Sequence, residues 1–120
     1  SWVYESNSAF LCKGNLEFTT LNYCAKNGAV HCLDKFKGTL IWRSDAAGPV
    51  LGGVSSVGGA LYVGTRNGIL HSFNVKTGEL NWFHTFDSGL ESAPLVTSTN
   101  LYQATISGDL HAFVAPAKTR

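Results

Sequence analysis

Three histidines, His31, His71 and His111, recur at an interval of 40 residues. Imidazole is the commonest metal ligand in proteins, so the set first suggests a metal centre. A metal ion needs its ligands to converge within about 2.0–2.1 Å, whereas equivalent positions of successive repeats lie far apart. We therefore expect no metal site. The spacing favours histidines that pack between repeats, each with its ring hydrogen-bonded to the backbone.

Other residues that could carry chemistry are scattered along the chain. No serine lies in the pattern of a nucleophile elbow, and the eight carboxylates do not cluster. The glycine-rich stretch GGVSSVGG, at 52–59, lacks the lysine and the following helix of a phosphate-binding loop. It is better interpreted as an inner strand and hairpin. We assign no catalytic residue.

The chain has three cysteines, Cys12, Cys24 and Cys32. Because their number is odd, they cannot all be paired in a complete disulfide framework. Cys24 and Cys32 fall on strands that are adjacent in the reading below. We expect all three to be buried small apolar residues. A redox or disulfide role is the alternative.

Composition limits the classes of partner. The 120 residues are 44% hydrophobic and only 14% charged, with 13 glycines, which is typical of a globular domain with many turns. The net charge of +1 gives no reason to expect nucleic acid as a partner. No apolar run approaches the roughly 20 residues that span a membrane. No signal-like segment is recognisable, so no compartment is assigned.

The elements that position these residues follow from an internal repeat, in which the 40-residue interval extends through the chain without insertion. It relates leucines, turn glycines and tryptophans of successive units. The sets are Leu21, Leu61 and Leu101; Gly28, Gly68 and Gly108; Gly38 and Gly78; and Trp2, Trp42 and Trp82.

Each unit predicts four short antiparallel strands and no helix. In one unit the strands cover 61–65, 69–73 and 79–83, and 93–96 begins a fourth. Asn67-Gly68 supplies the tight turn of a hairpin, and Lys76-Thr77-Gly78 supplies a second turn. Leucine-rich, helical, immunoglobulin-type and WD40 repeats fit the length or the residues less well. Four strands in each repeat predict an all-β fold built of β-propeller blades.

The stretch LYVGTRNGILHSFNVKTGELNW, at 61–82, resembles the PQQ-type, or quinoprotein, propeller repeat. That repeat runs through a strand ending in a small residue, a polar-Gly turn, a second strand, then Thr-Gly and a tryptophan. The resemblance covers essentially the whole chain, although 3–20 match poorly. The matching positions are Gly64, Gly68, Phe73, Asn74, Thr77, Gly78 and Trp82, and in the preceding unit Gly28, Leu33, Asp34, Gly38 and Trp42.

The resemblance implies structural roles for the tryptophans Trp2, Trp42 and Trp82, which would dock each blade against its neighbour. Quinoprotein alcohol dehydrogenases add an adjacent Cys-Cys pair and calcium ligands, and this sequence has no such pair. We therefore expect no cofactor, PQQ included. Propellers of this type also serve as non-catalytic scaffolds in outer-membrane assembly factors and in adenylate-forming enzymes.

The phase of the repeat predicts a half blade at 1–20, blades at 21–60 and 61–100, and a second half blade at 101–120. When the last residues, AKTR at 117–120, are joined to the first, SW at 1–2, the string AKTRSW aligns without a gap with TGELNW at 77–82. Propellers usually have four to eight blades, so three should not close. Either the chain is a segment of a longer propeller, or copies associate by completing each other's blades.

We interpret the chain as a non-catalytic binding or interaction module. The partner would be a protein or a second copy, and a glycan or small ligand is a further candidate. The alternatives are a small secreted lectin, a segment of a PQQ-dependent dehydrogenase, and part of an adenylate-forming enzyme. Ligand contacts are expected in the loops after the tryptophan strands, because loops carry most binding residues. The candidates are Arg43, Asp45, His84, Asp87 and Glu91.

Overall fold

Three antiparallel sheets make up the described part of the computed structural model, which comprises residues 3–4, 15–16, 20–50, 54–97 and 99–114. All regular structure within these residues is β-strand. The prediction of an all-β fold of propeller blades is confirmed. No helix in the described ranges is long and apolar enough to cross a membrane.

The strands of each sheet follow one another in chain order. The first sheet contains β1 (Asn15–Leu16), β2 (Thr20–Cys24), β3 (Ala29–Asp34) and β4 (Leu40–Asp45). The second contains β5 (Val54–Val57), β6 (Ala60–Gly64), β7 (Ile69–Asn74) and β8 (Leu80–Thr85). The third contains β9 (Leu95–Val96), β10 (Asn100–Ala104) and β11 (Leu110–Val114).

The sheets and the repeat units differ in phase. The second sheet begins at Val54, whereas the repeat unit assigned from the sequence begins at 61. Likewise β9, which falls in the unit 61–100, pairs with β10 of the third sheet. Each sequence unit therefore starts on the second strand of one sheet and ends on the first strand of the next.

Turn chemistry explains why the strands end where they do. Asp34 closes the β3–β4 turn, because its Oδ1 accepts hydrogen bonds from the backbone N–H groups of Phe36 (2.9 Å) and Lys37 (2.8 Å). The bond from Lys37 is the main reason that the pKa of Asp34 lies below its ordinary value. Asn74 Oδ1 does the same for the β7–β8 turn. Both turns end at a glycine with positive φ, 73° at Gly38 and 81° at Gly78.

The apolar core lies between the sheets, in two layers. The first layer joins the first and second sheets and is built around Val30, Leu61, Val63 and Phe73. The second joins the second and third sheets and includes Leu70, Phe86, Leu90 and Leu101. We call the two contacts the first junction and the second junction. Each sheet thus shares its core with its neighbours, as stacked repeats do.

Cys24 and Cys32 are buried in the first junction. In the ladder between β2 and β3, Cys24 lies opposite Val30 and Cys32 opposite Asn22, so the two cysteines do not face each other. They contribute to the core as small apolar side chains. Cys12 lies outside the described residues.

Candidate functional site

His71 lies at the first junction and bonds to the backbone on both sides. Its Nε2 accepts a hydrogen bond from the Ala47 N–H at 2.9 Å, and Ala47 belongs to the loop after the first sheet. Nδ1 must then carry the proton and donate to the Val63 carbonyl, 3.1 Å away. The ring also stacks on Phe73, with 5.6 Å between centroids. The imidazole therefore fixes one sheet against the next while it is neutral.

Burial holds the pKa of His71 below its ordinary value of about 6.5. The unfolded chain then binds this proton more readily than the folded chain does, so stability must rise with pH. The stability that the neutral imidazole contributes is fully present above the ordinary pKa. It is lost as pH falls from that value towards the lower pKa of the folded chain.

We expect the free energy of unfolding in urea to decrease between pH 7.5 and pH 5, and to decrease less steeply in His71→Gln. Part of the change in unfolding free energy with pH should remain in that variant, because burial also lowers the pKa of His31. Equal slopes for the two proteins would contradict this role of His71.

The other two histidines of the set meet different neighbours. The Tyr4 hydroxyl lies 3.1 Å from Nδ1 of His31, with the ring centroids 5.6 Å apart. His111 meets the edge of Phe86 at a centroid distance of 4.7 Å. Within the described ranges, no group of three or more His, Cys, Asp or Glu could hold a metal ion.

Trp42 joins the first two sheets at their outer edge. Its Nε1–H donates to the Val75 carbonyl at 2.9 Å, and Ser44 Oγ donates to the Gly78 carbonyl. Gly78 packs so closely on the indole that a Cβ there would lie 2.5 Å from Cε3 of the tryptophan. The β7–β8 turn is thereby held against β4.

Trp82 is placed differently. It is half-buried, and its ring lies 6.0 Å from that of Tyr62 in its own sheet. Its Nε1 is buried, and no described residue accepts its hydrogen. The two equivalent tryptophans are therefore not equally anchored by the described residues. Trp2 lies outside the described residues.

The candidate ligand contacts are distributed over three places. Arg43 and Asp45 form an exposed ion pair on β4, with 3.3 Å between Nη2 and Oδ1. Glu91 pairs with Arg66 at 3.6 Å between Oε2 and Nε. His84 and Asp87 both line a cavity at the second junction.

That cavity lies on the face of the sheets where the loop after β8 meets the β10–β11 turn. It has a volume of about 190 Å³. Its lining includes residues that the sequence analysis did not name as ligand contacts, and they carry hydroxyl, carboxylate and imidazole groups. They are Thr85, Ser88, Thr105, Ser107, Asp109 and His111, the last of which was expected to be a structural histidine of the repeat.

A second, apolar cavity of about 250 Å³ adjoins the first cavity through His84, which lines both. Its walls include Leu70 and Trp82 of the second sheet and Leu101 and Phe113 of the third. We call the two cavities together the junction groove. One difference between the repeats marks this place in the sequence: Phe86 stands where the preceding repeat has Ala46.

Repeated antiparallel sheets of three or four strands that share an apolar core define the class as a β-propeller. The family described as outer membrane protein assembly factor BamB, PQQ_2, matches residues 26–116. The chain belongs to this family of PQQ-like repeats, as the sequence resemblance predicted.

Curated relatives include quinoprotein dehydrogenases. The chain is 29% identical over 110 residues to quinoprotein alcohol dehydrogenase PedH of Pseudomonas putida strain KT2440, covering 88% of this chain and 18% of that protein. It is 33% identical over 69 residues to a lanthanide-dependent methanol dehydrogenase of Methylacidiphilum fumariolicum, covering 57% of this chain and 11% of that protein. The chain thus spans less than a fifth of these relatives.

Solved structures show the same fold. BamB from Moraxella catarrhalis superposes with a TM-score of 0.83 at 22% identity, covering 94% of this chain and 36% of that one. A europium-containing methanol dehydrogenase superposes with a TM-score of 0.85 at 16% identity, covering 100% of this chain and 26% of that one. At these identities the likeness establishes the propeller fold alone.

Proposed function

We propose that the chain is a non-catalytic protein-interaction module, and that the third sheet presents its contact face. The observation that carries the proposal is a change of exposure at one repeat position. Val30 and Leu70 are 0% exposed, whereas the equivalent Leu110 is 71% exposed. The first two are covered by the following sheet, and no sheet of the described residues covers the third.

Other apolar side chains share this face. Leu95 is 66% exposed and Val114 is 82% exposed. The ladders place Leu95 opposite Tyr102, and Val114 opposite Asn100. Because side chains alternate along a strand, the three exposed residues lie on one side of the sheet. A contiguous apolar face of this kind is typical of a protein interface.

The occupant that fits this face best is a further propeller blade. The chain itself shows the fit twice, since the same face of the first and second sheets packs against the next sheet. The name of the matching family, an assembly factor, supports an interaction role in a general way. In solution, a second copy of the chain is the partner that is always available.

Sedimentation velocity tests this proposal. The purified chain should associate as its concentration increases, and Leu110→Asp should shift it to monomer, because the carboxylate would have to be desolvated in the interface. Ile41→Asp is the matched control, since Ile41 is also exposed, at 49%, but lies on β4 of the first sheet. A wild-type chain that stays monomeric at about 100 µM, well above a micromolar dissociation constant, would contradict the proposal.

A segment of a quinoprotein dehydrogenase is the second candidate, favoured by the match to PedH over 88% of the chain. The described residues offer little for such a site, since no three or more of their His, Cys, Asp and Glu side chains are grouped so that they could hold a metal ion. The absence of bound PQQ stays a prediction. Reconstitution with PQQ and Ca²⁺ tests it: retained quinone absorbance and dye-linked alcohol oxidation would favour the dehydrogenase over the interaction module.

A further inference from the structure

The two junctions have the same design but close differently. At the first junction the loop after β4 lies directly on the β6–β7 turn. Ala47 N–H donates to His71, Asn67 Nδ2 donates to the Ala47 carbonyl at 3.0 Å, and Arg66 N–H donates to the Pro49 carbonyl at 2.8 Å. The small Ala46 side chain, which is buried, permits this close approach.

At the second junction Phe86 stands in the place of Ala46. Its ring is near both His84 and His111, with centroid distances of 4.8 and 4.7 Å. The loop is attached to the turn here too, because Ile106 N–H donates to the Gly89 carbonyl at 2.8 Å and Ser107 N–H donates to Ser88 Oγ at 3.1 Å. The benzyl side chain forms part of the lining of the polar half of the junction groove.

The apolar half of the groove lies beside Trp82. At the first junction, Trp42 is covered by the β7–β8 turn through Gly78, which has φ of 81° and no room for a Cβ. At the second junction no described residue stands in the equivalent place, and none accepts a hydrogen bond from the buried Nε1 of Trp82.

Charge identifies the ligand that suits the polar half. Asp87 and Asp109 line it, and neither lysine nor arginine is among the residues that line either cavity. Asp109 makes one long contact, in which Ser107 Oγ lies 3.5 Å from its Oδ2. Two carboxylates beside aromatic rings attract a cation. An apolar group of the same ligand would fill the adjoining cavity between Leu70, Trp82 and Phe113.

We propose that the junction groove binds a small organic cation, an ammonium group on an aryl or alkyl tail. The ammonium lies between Asp87 and Asp109, and the tail enters the apolar cavity beyond His84. The apolar cavity shares Val114 with the interaction face of the third sheet.

A matched series of probes tests the proposal: 2-phenylethylammonium, 2-phenylethanol and 3-phenylpropionate share the aryl tail and differ in charge. In NMR titrations the ammonium should shift the ring-proton resonances of His84 and His111 saturably. The alcohol should bind about tenfold more weakly, since it loses two exposed ionic contacts, and the carboxylate should not bind at about 20 mM. Equal binding of the three probes, or binding of none, would overturn the proposal.

Variants test the contributions of the two halves of the groove separately. Asp87→Asn with Asp109→Asn should weaken ammonium binding about tenfold and leave binding of the alcohol unchanged. Glu79→Gln, which removes an exposed carboxylate of the β7–β8 turn that lines neither cavity, is the control and should change neither. Phe86→Ala should weaken binding of both, because it removes an aromatic ring from the lining of the polar cavity. An unchanged affinity in the aspartate double variant would overturn the proposal even if Phe86→Ala does not fold.

The same titration excludes two other occupants. A shortened chain ending at Val114 should bind the ammonium as the full chain does. If only the shortened chain binds the ammonium, residues 115–120 of the chain occupy the groove in the full-length protein. If binding disappears as the protein concentration increases, a second copy occupies the groove. Either result would overturn the assignment to a small cation.

Discussion

Replacing Trp42 with alanine is expected to lower the free energy of unfolding by about 3–5 kcal/mol, the usual cost of removing a buried aromatic side chain. The indole is 8% exposed, packs on Gly78 and donates to the Val75 carbonyl. Its removal leaves a cavity at the outer edge of the first junction and a carbonyl without its donor. Urea unfolding monitored by circular dichroism measures the loss.

Trp82→Ala is the matched comparison, because it removes the same side chain from the equivalent position. We expect a smaller loss, about 1.5–2.5 kcal/mol, since that indole is half-buried and has no acceptor among the described residues. Equal losses for the two variants would show that both tryptophans are anchored alike. That result would contradict the difference between the junctions.

Gly28→Ala is expected to lower the free energy of unfolding by about 2–5 kcal/mol, the sum of left-handed strain and overpacking. Gly28 has φ of 97°, and a Cβ there would lie 2.6 Å from the Gly48 carbonyl oxygen. The loop that contains Gly48 would have to move away from the turn. This loop carries Ala47, so the bond to His71 would also be disturbed.

Gly108→Ala supplies the control for conformational strain alone. Gly108 has almost the same φ, 99°, and no described residue lies within 4 Å of a Cβ built on it. We expect a loss of only about 1–2 kcal/mol. The difference between the two variants, measured by urea unfolding, isolates the cost of the close approach. A Gly108 variant as unstable as the Gly28 variant would assign the whole effect to backbone strain.

The sequence predicted the fold because its repeat carries the turn chemistry explicitly. Gly28, Gly68 and Gly108 all have positive φ, which is the backbone conformation that the Asn-Gly and Ser-Gly turns require. The residues at which each sheet begins and ends were harder to predict. A period of 40 residues is unchanged by any shift of its origin, and the inner strands β5 and β9 are short and weakly patterned. Pairing between strands was needed to fix the boundary.

The junction groove could not be predicted from the repeat, because it arises where the repeat is broken. Position-by-position comparison shows that Phe86 replaces Ala46, but not that a cavity lies beside the larger ring. That consequence depends on packing against His84 and His111. The candidate contacts Arg43 and Glu91 were chosen from loop position alone, and each proved to lie in a local ion pair. Their role in ligand binding stays a prediction.

The layered core also governs how the molecule would come apart. Within the described residues, no strand of the first sheet contacts a strand of the third. Cooperativity must then pass through the second sheet, as in a linear chain of coupled units. Opening of the third sheet breaks one junction, whereas opening of the second breaks both. Backbone amides of β6 and β7 should therefore be the last to exchange with solvent, and fluctuations at the outer sheets should leave them protected.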